Sequence, residues 1–128
     1  MEAVAVVTIL MVIECFVFSA LTGRARVKYE VKAPATVGPP EFERHYRVHQ
    51  NTLEQLMLVL PSMWIFGLYV HAPTAAGLGL VFVVARVLYL RSYVAAPDKR
   101  GPGFIIGFLA TLVLMLGGLI GAVMSWVT

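Results

Sequence analysis

Four long apolar runs take up most of this 128-residue chain, and they leave it few ways to fold. A helix needs roughly 20 apolar residues to cross a bilayer, and within hydrocarbon only helices and closed barrels can satisfy their own backbone hydrogen bonds. The runs therefore predict an all-α fold, a four-helix transmembrane bundle forming one domain over residues 1–128, with spans at about 3–21, 41–70, 75–93 and 104–126. Nothing is left over for a soluble catalytic domain. Composition agrees, with 59% hydrophobic residues, 13% charged residues and a mean hydropathy of +0.83. The first run reads as a span and not as a secretion signal, because Glu2 stands where a positive segment would be and the run continues to Leu21. Cys15, the lone cysteine, has no intrachain partner and reads as a small buried apolar residue.

Charge placement supplies an orientation. The ten basic residues fall between Arg24 and Arg47, at Arg86 and Arg91, and at Lys99 and Arg100. The segment Thr22 to Pro40 and the segment AAPDKRGPG, both rich in breakers, read as loops on one side, while the short connection His71 to Thr74 lies on the other. The positive-inside rule then puts both basic loops in the cytoplasm and both termini across the membrane. The net charge of +3 is accordingly a topology signal and implies no nucleic-acid partner. The expected location is an integral, multi-pass one, in a bacterial inner membrane or an endoplasmic reticulum.

One stretch breaks the apolar pattern. Gly38 to Gln55, GPPEFERHYRVHQNTLEQ, sets acids, arginines, histidines and an asparagine directly before hydrocarbon. Pro40 suits the first turn of the second helix, Glu41 and Glu43 suit its positive end, and Pro61 lies inside it as a kink. Arg47, Asn51 and Glu54 fall at i, i+4 and i+7 and share a face, which cannot point at lipid. In the third span Arg86, Tyr89 and Tyr93 recur at i, i+3 and i+7, and the flanking segments add Arg26 and Arg100. Arginines clamp carboxylates with paired hydrogen bonds, Glu54 can accept an ammonium, and Asn51 and the tyrosines can bind peptide groups. The set therefore suits a small zwitterion with several carboxylates and an amine.

A cation such as Arg100 would also favour the thiolate of a nearby thiol, and an oily electrophile could reach it from the membrane. Set against this, basic residues beside spans are commonly anchors. Arg24, Lys28, Lys32, Arg91 and Lys99 take that reading, whereas Arg26 admits both. His45 reads as a solvated helix residue and His71 as an interfacial loop residue. Glu14, at the centre of the first span, should face other helices, either as a structural group or in proton or ligand chemistry. No zinc-spaced cluster, phosphate-cradling glycine loop or serine-nucleophile motif is present, so no metal site is expected.

The stretches GPPEFERHYRVHQNTLEQ and ARVLYLRSYVAAPDKRGPGF, the latter at Ala85 to Phe104, resemble the MAPEG superfamily of membrane-associated proteins in eicosanoid and glutathione metabolism. The similarity runs from about Arg24 to Gly121 and looks closest to the branch of microsomal glutathione transferases, leukotriene C synthase and the lipoxygenase-activating protein. It implies a homotrimer that binds glutathione, as co-substrate, between neighbouring subunits toward the cytoplasmic side. Arg47, Asn51, Glu54, Tyr89 and Tyr93 match contacts from one subunit, Arg26 a contact from its neighbour, and Arg100 the arginine that activates the thiol, with Tyr93 a second donor to the sulfur. His49, Gln55 and Val27 depart from the pattern, the last where leukotriene C synthase has a second arginine. The implied activity is conjugation of glutathione to hydrophobic electrophiles, with reduction of lipid hydroperoxides as a further use of the thiolate. The alternative is a non-catalytic lipid-binding accessory like the lipoxygenase-activating protein, which lacks the arginines matching Arg47 and Arg100.

Overall fold

The computed structural model describes residues 1–128 as four helices without strands: α1 Glu2–Lys28, α2 Pro40–Tyr69, α3 Ala72–Ala95 and α4 Gly101–Val127, the last preceded by a 3₁₀ turn at Pro97–Lys99. All four are long and apolar enough to cross a membrane. α1 buries Val4, Val7, Met11, Glu14, Phe18, Thr22 and Ala25, a stripe spaced by threes and fours. It does not end at Leu21, where the apolar run stops. The helix continues to Lys28 and carries Arg24, Arg26 and Lys28, so the first half of the expected loop is helical. The physical reason is the absence of a strong breaker before Pro34, since a single Gly23 among Ala, Arg and Lys costs only about 1 kcal/mol. The chain leaves the helix at Tyr29 and turns at Glu30, whose φ is 55°.

α2 starts with Pro40 in its first turn beside Glu41 and Glu43, and it continues unbroken through Pro61. One residue on, the Ser62 hydroxyl donates to the Leu58 carbonyl at 2.6 Å. His71 is not merely a loop residue: its Nδ1 accepts from the Thr74 amide at 3.3 Å and so caps α3, which begins at Ala72. α1 packs on α2 and α3, and α4 packs on the same pair. Met11, Val59, Met63, Phe66, Phe82 and Leu114 fill the core between them.

Only 28 of the 128 residues are buried within the chain, and large apolar side chains such as Phe16, Val84, Leu119 and Ile120 remain exposed. Such a surface suits hydrocarbon or other helices, not water. At one end the last turns of α1 and α3 meet the first turns of α2 and α4. There Arg44 Nη1 donates to the Val94 carbonyl at 3.0 Å, fastening the start of α2 to the end of α3.

Candidate functional site

At this basic end, three helices enclose a cleft of about 450 Å³ lined by Arg47 and Asn51 of α2, Tyr89 and Tyr93 of α3, and Arg100 and Phe104 at the start of α4, Arg100 being its N-cap. Each side chain arrives by a local rule. Arg47 and Asn51 lie one turn apart on α2, as do Tyr89 and Tyr93 on α3, and Arg100 and Phe104 at the start of α4. Arg100 is held there by donating from Nη1 to the Pro97 carbonyl at 2.9 Å, which leaves the guanidinium exposed at the mouth. Tyr89 packs against Tyr93 with ring centroids 5.5 Å apart and against Phe104 at 6.2 Å. The result is a hollow with two cations and two phenols on an aromatic floor.

A second hollow of about 400 Å³ adjoins it, sharing Arg47 and Tyr93 and adding Thr36, Glu43, Arg44 and Tyr46. Glu43 is its carboxylate. Glu54, by contrast, is exposed on α2 and lines neither hollow. Arg26 is elsewhere too. Its Nη1 donates to the Ala35 carbonyl at 2.7 Å, and its guanidinium lies 4.9 Å from the Phe42 ring centroid, so it fastens the 31–35 segment to α2. Of the candidate residues, five are thus brought together within one chain, and Arg26 and Glu54 are not.

Beneath the cleft lies a polar layer that spacing alone did not assign. Arg86 shares a sequence interval with Tyr89 and Tyr93, but it turns inward and is 1% exposed. Its Nε and Nη2 donate to Thr52 Oγ1 at 3.2 and 2.8 Å, and Nη2 also donates to Asn51 Oδ1 at 2.8 Å. Its guanidinium lies 4.1 Å from the Tyr89 ring centroid. Accepting from Arg86 orients the Asn51 amide and occupies one lone pair of its oxygen, which leaves both NH₂ protons free for a ligand. Asn51 is therefore a donor in this cleft.

Glu14 faces the bundle interior, as its charge requires, and is 7% exposed. Neither carboxylate oxygen has a hydrogen-bond partner. Phe104 and Glu43 are lining residues absent from the candidate set. Helical spacing offers a signal for both: Phe104 is one turn after Arg100, and Glu43 is one turn before Arg47, on the face shared with Asn51.

The arrangement can hold an anionic group between Arg47 and Arg100, give hydrogen bonds from Asn51, Tyr89 and Tyr93, and leave one side to apolar matter. The family model described as MAPEG family matches residues 4–120. An uncharacterised protein of Synechocystis is 47% identical over 98 residues, covering 77% of this chain and 72% of its own. Human microsomal glutathione S-transferase 2 is 40% identical over 113 residues, 87% of this chain and 77% of its own. Guinea-pig (Cavia porcellus) leukotriene C4 synthase is 41% identical over 96 residues, 75% of this chain and 64% of its own.

Proposed function

The chain belongs to the MAPEG family, and on that premise we propose that it is an integral membrane glutathione transferase that joins the tripeptide thiol to hydrophobic electrophiles. The observation that carries this reading is the convergence of Arg47, Asn51, Tyr89, Tyr93 and Arg100 on one cleft. Glutathione offers carboxylates to the arginines and peptide carbonyls to the Asn51 amide. A free thiol has an ordinary pKa of about 8.5, so at neutral pH it is mostly protonated and a poor nucleophile. Arg100 lowers that barrier by favouring the thiolate, and the Tyr93 hydroxyl can donate to the same sulfur.

The thiolate attacks the electrophilic carbon of a membrane-dissolved substrate, forming a C–S bond while the leaving group departs with its electron pair. As a proposed second activity, the same sulfur anion would attack the terminal oxygen of a lipid hydroperoxide, forming an S–O bond as the O–O bond breaks and the lipid leaves, protonated, as its alcohol; a second glutathione then displaces water from the sulfenic acid to give glutathione disulfide. Glu54 and Arg26 extend the reading to a homotrimer. An uncovered carboxylate near hydrocarbon costs roughly 3 kcal/mol, so Glu54 is best placed where another copy covers it. Arg26, outside its own chain's cleft, would serve the neighbour's. By the distribution of basic residues, the shared sites face the cytoplasm.

The test compares wild-type protein with Arg100→Ala by the ultraviolet absorbance of bound thiolate and by turnover of a chlorinated nitrobenzene. Loss of one donor that holds a developing or fixed anion predicts a fall in turnover of about a hundredfold, with the thiolate absorbance reduced alongside it. Equal signals from both proteins would remove Arg100 from this role. Failure of the wild type to bind glutathione at millimolar concentration would leave the lipid-binding accessory reading.

A further inference from the structure

A separate hollow of about 210 Å³ opens on the lateral side of the basic end, lined by Leu21, Arg24, Ala25, Lys28 and Tyr29 of α1 and its exit, Glu41 and His45 of α2, and Val94 of α3. It shares no residue with the cleft assigned to glutathione or with the hollow beside it. Arg24 and Lys28 lie one turn apart, whereas Arg26 between them points to the other side of the helix. Both basic side chains are exposed, and the Lys28 Nζ lies 5.3 Å from the Tyr29 ring centroid. On the facing helix, His45 Nδ1 donates to the Glu41 carbonyl at 2.9 Å, leaving Nε2 as its remaining polar atom. The Glu41 carboxylate is exposed and unpaired.

Opposite charges across one hollow normally neutralise each other. Here they do not: the one ion pair in the chain joins the amino terminus to Glu2. Two cations and a carboxylate thus stand at the rim of a hollow whose lining includes Leu21, Ala25 and Val94, each group open to an external partner. The stripe of α1 that leads into it continues the pattern. Leu10, Ile13, Val17 and Leu21 precede Arg24 and Lys28 at intervals of three and four, and the first three are 39%, 50% and 45% exposed. An apolar track that ends in two cations beside a carboxylate has the charge order of an amine-bearing phospholipid: acyl chain, phosphate, ammonium.

We propose that this face holds one glycerophospholipid with a primary amine in its head group, its phosphate on Arg24 and Lys28, its ammonium on Glu41 and an acyl chain along Leu10 to Leu21. Glu41 sets the selectivity. It accepts hydrogen bonds from a primary ammonium, finds no N–H on a choline, and repels a head group that is anionic throughout. The site is independent of the transferase reading and stands or falls on its own test.

That test is native mass spectrometry of the full-length protein in detergent, with phosphatidylethanolamine, phosphatidylcholine and phosphatidylglycerol of matched chains offered together. The wild type is expected to retain phosphatidylethanolamine in preference. The variant Arg24→Ser/Lys28→Ser is expected to lose retention by about five-fold for each cation removed. Glu41→Gln should keep lipid but lose the preference over phosphatidylcholine. Both variants alter exposed side chains, and circular dichroism should show unchanged helicity. Equal retention by the double variant overturns the proposal, as does phosphatidylglycerol held as tightly as phosphatidylethanolamine. Displacement of lipid by millimolar inorganic phosphate would mark a bare anion pocket and also overturn it. Dissociation of an oligomer in the double variant would mean that another copy covers this face, and the lipid site would fall with it.

Discussion

A buried guanidinium is the residue on which the cleft rests. Arg86 touches no open surface, yet it fixes the amide orientation of Asn51, takes both of its Thr52 contacts across the α2–α3 boundary and lies on the ring of Tyr89. Neutral interhelical hydrogen bonds in membranes average only about 0.6 kcal/mol, but a charged donor is stronger, and its removal leaves acceptors unpaired at about 1–3 kcal/mol. Arg86→Met should therefore destabilise the bundle by about 1–3 kcal/mol in thermal unfolding. It should also raise the KM for glutathione more than it lowers kcat, because Asn51 loses its fixed orientation while Arg100 is untouched. Arg86→Lys should restore part of the stability and little of the KM, since an ammonium lacks the planar fork that reaches Thr52 and Asn51 together. An unchanged KM in both variants would reduce Arg86 to a packing role.

Between elements, the decisive contact is a backbone approach of α4 to α3. A Cβ built on Gly103 would lie 2.7 Å from the Tyr89 amide nitrogen and 3.1 Å from the Ala85 carbonyl oxygen, whereas one on Gly107 would meet only side chains at 3.6 Å. Gly103→Ala must push the start of α4 off α3, and Arg100, one turn earlier, moves with it. The expected outcome is an active-site defect: turnover down by about tenfold or more, because small misplacements of a catalytic group are costly. Gly107→Ala should leave both activity and melting temperature nearly unchanged. Comparable effects from the two substitutions would show that backbone approach is not what positions Arg100.

This contrast marks how far the sequence is legible. Apolar runs locate the helices because burial in hydrocarbon has a period and a length, and the Gly38–Gln55 stretch betrays its polar face for the same reason. Helix ends in water are harder, as α1 shows by continuing to Lys28 beyond the apolar run that announces it. The rotation of α3 about its axis, which sends Arg86 inward and Tyr93 to the cleft, depends on neighbours that spacing cannot name. Gly103 is one glycine among several in α4 until the distance to Tyr89 singles it out.

For the molecule as a whole, the dispersion of the candidate residues is itself an argument about assembly. Five of them meet within one chain, while Arg26 lies on the 31–35 segment and Glu54 on an exposed helix face. If all seven serve one tripeptide, a second copy must close the site, bringing its Arg26 and covering the exposed Glu54 face of α2, and a cyclic assembly does this at every interface by symmetry. Intermolecular complementation separates this from a site complete in one chain. Arg26→Ala and Arg100→Ala chains, each weak alone, are co-expressed with different tags and purified as mixed assemblies. Where the interface pairs the Arg100 of one copy with the Arg26 of the next, about a quarter of the sites in a random mixture recover both arginines. Turnover should then rise above that of either parent toward about a quarter of the wild-type value. A mixture no more active than the average of its parents would place both arginines in the same chain's site, and the trimer would lose its functional reason.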